Sequence, residues 1–212
     1  MRTLVRLSGL LAAGVLVAGS AQAQSCLGFS SLESAKMNIA GVAQFGDGWK
    51  SFGAELNSAL GKVAHIGIGA SSASFDGISD KMLDAHGTLG IALNAGNISL
   101  CPYGIGVYAK GPGDGISTTG YGGGIGIAIS LTPGSSFELI PFGGITYLSS
   151  TTKADGCGAS DCSLTDSAWD MKGGLGIRFG GGMQLSPQFS KSNAEGSKIA
   201  YGVSLSFPFG KQ

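Results

Sequence analysis

Along residues 198–209 apolar and small or polar positions alternate without a break: Ile199, Tyr201, Val203, Leu205, Phe207 and Phe209 against Lys198, Ala200, Gly202, Ser204, Ser206 and Pro208. A period of two is that of a β-strand, whose successive side chains point to opposite faces. Residues 169–179 repeat it, with Trp169, Met171, Leu175, Ile177 and Phe179 opposed to Asp170, Lys172, Gly174, Gly176 and Arg178. Residues 83–94 set Leu83, Ala85, Leu89, Ile91 and Leu93 against Asp84, His86, Thr88 and Asn94, and residues 121–131 set Tyr121, Ile125, Ile127, Ile129 and Leu131 against Gly122, Gly124, Gly126, Ala128 and Ser130. Weaker alternation over 37–45, 50–60, 63–74, 98–110, 136–149 and 183–190 predicts further strands, about ten in all. Eight result if residues 37–60 or 183–208 pair differently. Between the segments stand Gly46-Asp47-Gly48, Gly61-Lys62, Asp76-Gly77, Ala95-Gly96-Asn97, residues 111–115, Pro133-Gly134, residues 150–163, 180–182 and 192–196. This turn chemistry joins consecutive strands and predicts an all-β, antiparallel up-and-down meander.

The two faces of these strands fix their surroundings. In a soluble sandwich or barrel the apolar face turns inward and the polar face meets water. Here the second face is Gly, Ala and Ser with isolated charges, too small and too sparsely polar for a water-facing exterior. As the lining of a narrow lumen it fits, with Glu55, Asp84, His86, Asp170, Lys172 and Arg178 forming a polar network in which Glu55, Asp84, Lys172 and Arg178 can pair across the interior. Aromatic residues near segment ends, among them Tyr121, Phe137, Tyr147, Trp169, Phe179, Phe207 and Phe209, suit the girdles of a transmembrane barrel. The segments are near the 9–11 residues that a tilted strand needs to cross a bilayer, and closure of the barrel satisfies the backbone groups that lipid cannot.

Composition supports the same picture. Glycine, 39 of 212 residues, lies inside apolar segments such as Gly122-Gly123-Gly124-Ile125-Gly126, which disfavours helix. Thirteen acidic residues against thirteen basic ones leave no footprint for nucleic acid. At the N-terminus Arg2 and Arg6, the apolar run Leu10 to Gly19 and Ala21-Gln22-Ala23 read as a signal peptide over residues 1–23. A periplasmic segment is expected over 24–36 and an outer-membrane barrel over 37–212, with lipid as the barrel's partner and its oligomeric state open.

Four cysteines behind an export signal read as disulfides. Cys157 and Cys162 lie in one break and are expected to pair, which leaves Cys26 for Cys101. By strand count Cys101 begins the fifth strand on the periplasmic side, as Cys26 does before the first. No histidine stands near Cys157 or Cys162, and neither a metal nor a cofactor is expected. The Gly-x-Gly runs lie within strands, lack a Lys-Ser/Thr ending and open no helix, so they are not phosphate loops. His65 and His86 are the only histidines, and His86 shares a face with Asp84, but no motif marks a nucleophile beside them. A non-enzymatic protein is therefore the expectation.

With its export signal, repeated alternating hairpins and terminal Tyr201-x-Val203-x-Leu205-x-Phe207 strand, the chain resembles the small bacterial outer-membrane β-barrel family that includes barrels of the OmpX and opacity-protein kind. The resemblance implies that the last strand serves as the signal for the barrel assembly machinery. Phe209 takes the place of the usual terminal aromatic, followed here by Gly210, Lys211 and Gln212. The leading functional expectation is a structural or porin-like narrow-channel role. The alternative is a surface adhesin acting through residues 76–80, 111–117, 150–166 and 191–197, and a third reading is a membrane-embedded hydrolase using His86 with Asp84.

Overall fold

The computed structural model describes residues 37–60, 64–95, 97–111, 115–131, 137–155, 162–180 and 182–209. The expected signal peptide, the segment 24–36, Cys26 and Cys157 lie outside these residues. Eleven strands follow in chain order: β1 Met37–Gly46, β2 Trp49–Leu60, β3 Ala64–Phe75, β4 Met82–Ile91, β5 Leu93–Ala95, β6 Ile98–Lys110, β7 Ile116–Ile129, β8 Phe137–Ala154, β9 Ser163–Phe179, β10 Gln184–Ser192 and β11 Ala200–Phe209. Both β4 and β5 pair with β6, Leu83–Gly90 facing Tyr103–Lys110 and Leu93–Ala95 facing Ile98–Leu100. They form one crossing interrupted at Ala92, so the eleven segments make ten crossings.

Each crossing pairs antiparallel with the crossings next to it in sequence, and β1 pairs with β11, Met37 opposite Phe209 and Phe45 opposite Tyr201. The sheet closes on itself through the β1–β11 pair, which is what hydrocarbon surroundings demand of a β-structure. The β1–β2 hairpin turns on Asp47-Gly48, where Gly48 takes φ +74°. That conformation is open to glycine and strained for other side chains.

The apolar face is outside. Ile68, Leu89, Met171, Phe189 and Tyr201 are exposed, and Tyr121 reaches 75%. Phe137 and Phe179 face each other across β8–β9 near the rim where β1 begins, with Phe207 and Phe209 on β11 at the same rim. Toward the opposite rim Tyr147 and Trp169 pair with ring centroids 5.0 Å apart, and Phe45 meets Phe52 edge-on at 5.9 Å. On β8 ten residues separate Phe137 from Tyr147. At about 3.3 Å per residue and a tilt of about 40° they span roughly 25 Å, the height of the apolar band of an outer-membrane barrel.

Two strands run further than alternation predicts. β8 continues through Ala154 and β9 begins at Ser163, so much of the break expected at residues 150–163 is a hairpin stem. Pairing of β9 with β10 reaches only Asp170 opposite Ser192, Trp169 bonds to Asn193 just past it, and the segment from Ser163 to Ala168 pairs with β8. Threonines stitch the stem: Thr118 to Thr152 and Thr151 to Thr165, each with hydroxyls 2.9 Å apart.

Candidate functional site: the barrel lumen

The inward residues are mostly apolar on one side of the lumen, with Thr118, Thr146 and Ser150 among them, and mostly polar on the other. Strands β6–β8 contribute Tyr103, Ile105, Val107, Ile140, Phe142 and Leu148. Strands β9–β11 and β1–β4 contribute Asp170, Lys172, Gln184, Gln188, Ser204, Asn38, Gln44, Glu55, Asn57, Asp84, His86 and Thr88. Toward the rim opposite the start of β1, Phe75, Met82, Ile105, Val107 and Leu148 pack together with Ala73, Ala109 and Ala168, and Trp49, Ile78, Ile116 and Ala194 lean on them. These side chains come from most of the ring, so the cluster bridges the lumen as an apolar constriction.

Below it, Asp84 and His86 lie two residues apart on β4, which aims both inward. His86 Nδ1 is 3.3 Å from Asp84 Oδ2. The other oxygen of Asp84 accepts from the Ser71 hydroxyl directly opposite on β3, and Ser51 Oγ donates to Ser71 Oγ at 3.2 Å. The ring of His86 lies over Gly69, whose missing side chain leaves it room. A neutral imidazole that donates from Nδ1 presents a lone pair at Nε2, and Nε2 here meets no protein hydrogen-bond partner.

The six residues expected in the lumen network, Glu55, Asp84, His86, Asp170, Lys172 and Arg178, all point inward, but the pairing differs from expectation. Arg178 Nη1 pairs with Glu138 Oε2 at 2.6 Å, and Glu138 also accepts from Ser130 Oγ. Asp84 engages Ser71 and His86 instead of a cation across the lumen. Glu55 is 2% exposed and its carboxylate oxygens meet no hydrogen-bond donor. The reason is register: Glu138 and Arg178 are direct cross-strand partners, and Ser71 and Asp84 likewise, so a neighbour on the wall is nearer than a partner across the interior. The uncharged members of the polar wall, Asn38, Gln44, Asn57, Thr88, Gln184 and Gln188, escaped the reading by charge. Their signal was strand parity, since each shares its strand face with a residue already turned inward.

Of the expected disulfides, each has one member outside the described residues. Cys101 is buried near the rim where β1 begins, and Cys162 stands at the opposite rim just before β9.

No family model matches the chain, and no curated protein does. Among solved structures it is similar to LpxR from Salmonella typhimurium, at 12% identity over 76% of this chain and 73% of that one, TM-score 0.45. The KdgM porin follows at 8% over 81% and 99%, TM-score 0.46, and the outer membrane enzyme PagL at 11% over 81% and 99%, TM-score 0.40. Likeness at this level assigns neither family nor activity. It does correct the expectation of a non-enzymatic protein, because an outer-membrane barrel such as PagL is an enzyme. That expectation rested on the lack of a local motif, whereas a barrel assembles side chains from separate strands, as it does Ser71, Asp84 and His86. The closed sheet, its apolar exterior and its polar interior have one physical setting: this chain is a ten-crossing β-barrel of the bacterial outer membrane.

Proposed function

We propose that the barrel is a narrow, cation-preferring conduit closed at one rim by its apolar constriction. The observation that carries this reading is a buried polar wall whose groups are not consumed by protein contacts. Gln44 Oε1, both Glu55 oxygens, His86 Nε2, Thr88 Oγ1 and both polar atoms of the Gln188 side chain lack a protein hydrogen-bond partner. Buried polar groups in a packed core are paired, so a wall of unpaired ones suits water or a hydrated solute. The charge in the lumen favours cations: Glu55, Asp84, Glu138 and Asp170 face inward against Lys172 and Arg178. Apolar constrictions gate by shedding water, and Met82, fully buried at the centre of the apolar cluster, is the side chain to remove.

Planar-bilayer recording under a potassium chloride gradient tests the reading. Small cation-preferring currents that grow in Met82→Ala support it. Folded wild type and Met82→Ala that both pass no current overturn it.

A second reading is favoured by one contact, the Asp84–His86 pair, whose Nε2 lies over Gly69 on β3 without a protein hydrogen-bond partner. It is the base-and-orienter half of a hydrolytic site, in which Asp84 holds the imidazole that would draw a proton from water or a hydroxyl. Hydrolysis of lipid or peptide esters that disappears in folded His86→Ala would favour it over the conduit.

A further inference from the structure

The lipid-facing side of the barrel is not uniformly bulky. Across β2, β3 and β4 three outward alanines stand in register, Ala54 opposite Ala70 and Ala70 opposite Ala85. Gly87 and Gly106, direct partners on β4 and β6, lie one step beside them. Leu56 and Ile68 wall this floor toward the rim where β1 begins, and Tyr108, opposite Ala85, walls its far side. The result is a hollow of about 830 Å³ on the outside of the barrel, lined chiefly by apolar atoms.

Toward the other rim the hollow continues along β3, whose outward residues Ser72 and Ser74 are small. Phe52 on β2 and Leu83 on β4 are the register partners of Ser72. At 54% and 56% exposed, they stand as ridges on either side of it. Three lysines surround the mouth. Lys50 is the partner of Ser74, Lys81 directly precedes β4 with the outward parity of Leu83, and Lys110 on β6 is the partner of Leu83. All three are exposed, and none makes an ion pair with a described acidic residue. Asp76 and Asp80, in the connection between β3 and β4, lower the positive charge of this cluster without cancelling it. Lys50 and Lys81 flank β3 at two strand spacings, about 10 Å, and Lys81 and Lys110 are diagonal neighbours about 7–8 Å apart. Flexible four-carbon stems let ammonium groups at such spacings converge on one anion.

We propose that this outer face binds one anionic phospholipid, with Lys50, Lys81 and Lys110 on its phosphate and one acyl chain in the hollow over Ala54, Ala70 and Ala85. Charge complementarity selects the headgroup, and the apolar lining selects the chain. From Ser74 to Ala70 is about 13 Å at about 3.3 Å per residue, so a chain whose phosphate sits at the lysines passes Ser72 and reaches the alanine floor. A second copy of the barrel is the poorer occupant, because an isologous pair would bring two such lysine clusters to one rim with no anion between them. The site lies on the lipid side of the wall and is independent of whether the lumen conducts.

Native mass spectrometry tests the proposal on the full-length barrel, folded in detergent micelles and titrated with dimyristoyl phosphatidylglycerol or dimyristoyl phosphatidylcholine. The two lipids share their chains and differ in net headgroup charge. One phosphatidylglycerol, held at least tenfold more tightly than phosphatidylcholine, is the expected result. At about fivefold per lysine, Lys50→Gln with Lys81→Gln should weaken it at least tenfold. Lys153→Gln with Lys191→Gln removes equal charge from β8 and β10 at the same rim and should leave binding unchanged. Ala70→Phe keeps all three lysines, fills the hollow and should weaken binding at least fivefold. Folding of each variant is read from heat-modifiable gel migration, and Ala85→Phe replaces Ala70→Phe if that variant migrates as unfolded. Equal affinity for the two lipids, an equal loss in both lysine pairs, undiminished binding by the folded phenylalanine variant, or a lipid-free dimer in place of the complex overturns the proposal.

Discussion

Arg178 and Glu138 stand 40 residues apart in sequence and 2.6 Å apart in the lumen, fixed opposite each other by the β8–β9 register. Their side chains are 12% and 17% exposed, so each is well withdrawn from bulk solvent. Removing one partner takes from the other charge its direct counter-charge in a confined space, a larger loss than the net worth of the pair. Glu138→Ala should lower stability by about 1–3 kcal/mol. Replacing both residues by methionine should recover most of that loss, since no charge is left stranded. Urea unfolding in lipid vesicles measures both. A double variant as unstable as the single one would show that the ion pair itself, and not the orphaned charge, sets the cost.

On β7, Ile127 lies opposite Gly143 of β8, about midway between Phe137 and Tyr147, and its side chain faces out. Arginine there should cost about 2–4 kcal/mol, the range for a cation at the bilayer midplane. Ser130, inward and hydrogen-bonded to Glu138, offers an arginine a carboxylate instead of lipid. Ser130→Arg should therefore cost clearly less in the same vesicle refolding assay. Equal losses at the two positions would mean that the faces are reversed.

The His65 ring crosses from β3 to lie over Gly90, its register partner on β4, and is 1% exposed. A Cβ at Gly90 would stand 2.6 Å from His65 Nε2, with ring carbon as close. Gly90→Ala should destabilise by about 1–3 kcal/mol through overpacking. Because the clash is with one side chain, adding His65→Ser should relieve most of it, and the coupling in a double-mutant cycle reads the contact directly. Additive losses would place the strain in the backbone.

Alternation made most of the barrel legible, and where it lapsed the physics changed. Leu83, Leu89, Ile127, Trp169 and Tyr201 announce a lipid face because hydrocarbon tolerates nothing polar there. The stem from Thr151 to Ala154 and Ser163 to Ser167 rises past the apolar band, where both faces are open to water and Thr151, Thr152, Thr165 and Asp166 carry no period. The interruption at Ala92 was equally silent, since Ile91 and Leu93 both face out on either side of it. In the lumen, charge drew attention to Glu55, Asp84 and Lys172 while Asn57 and Thr88 passed as ordinary polar residues. What unites them is Gly67 between them, and convergence over a glycine depends on register across three strands, which no single segment encodes.

The disulfides follow from which rim each cysteine occupies. Cys101 is the fourth residue of β6, and β6 starts at the same rim as β1, the rim at which the chain preceding Met37 enters the barrel. Cys162 directly precedes β9 at the opposite rim, in the connection that also carries Cys157. A bridge between Cys101 and either of these would have to span the apolar belt of about 25 Å, whereas bridged Cα atoms lie about 4.4–6.8 Å apart. Pairing is therefore expected within each rim: Cys26 with Cys101, and Cys157 with Cys162. The first closes a long loop and should contribute the larger stabilisation, because the loss of chain entropy in the unfolded state grows with loop length. The second closes a loop of only a few residues, and Cys157→Ser with Cys162→Ser should change the unfolding midpoint little. Mass spectrometry of a non-reducing digest decides the pairing: peptides joining Cys26 to Cys101 and Cys157 to Cys162 are expected, and one joining Cys101 to Cys157 or Cys162 would refute it.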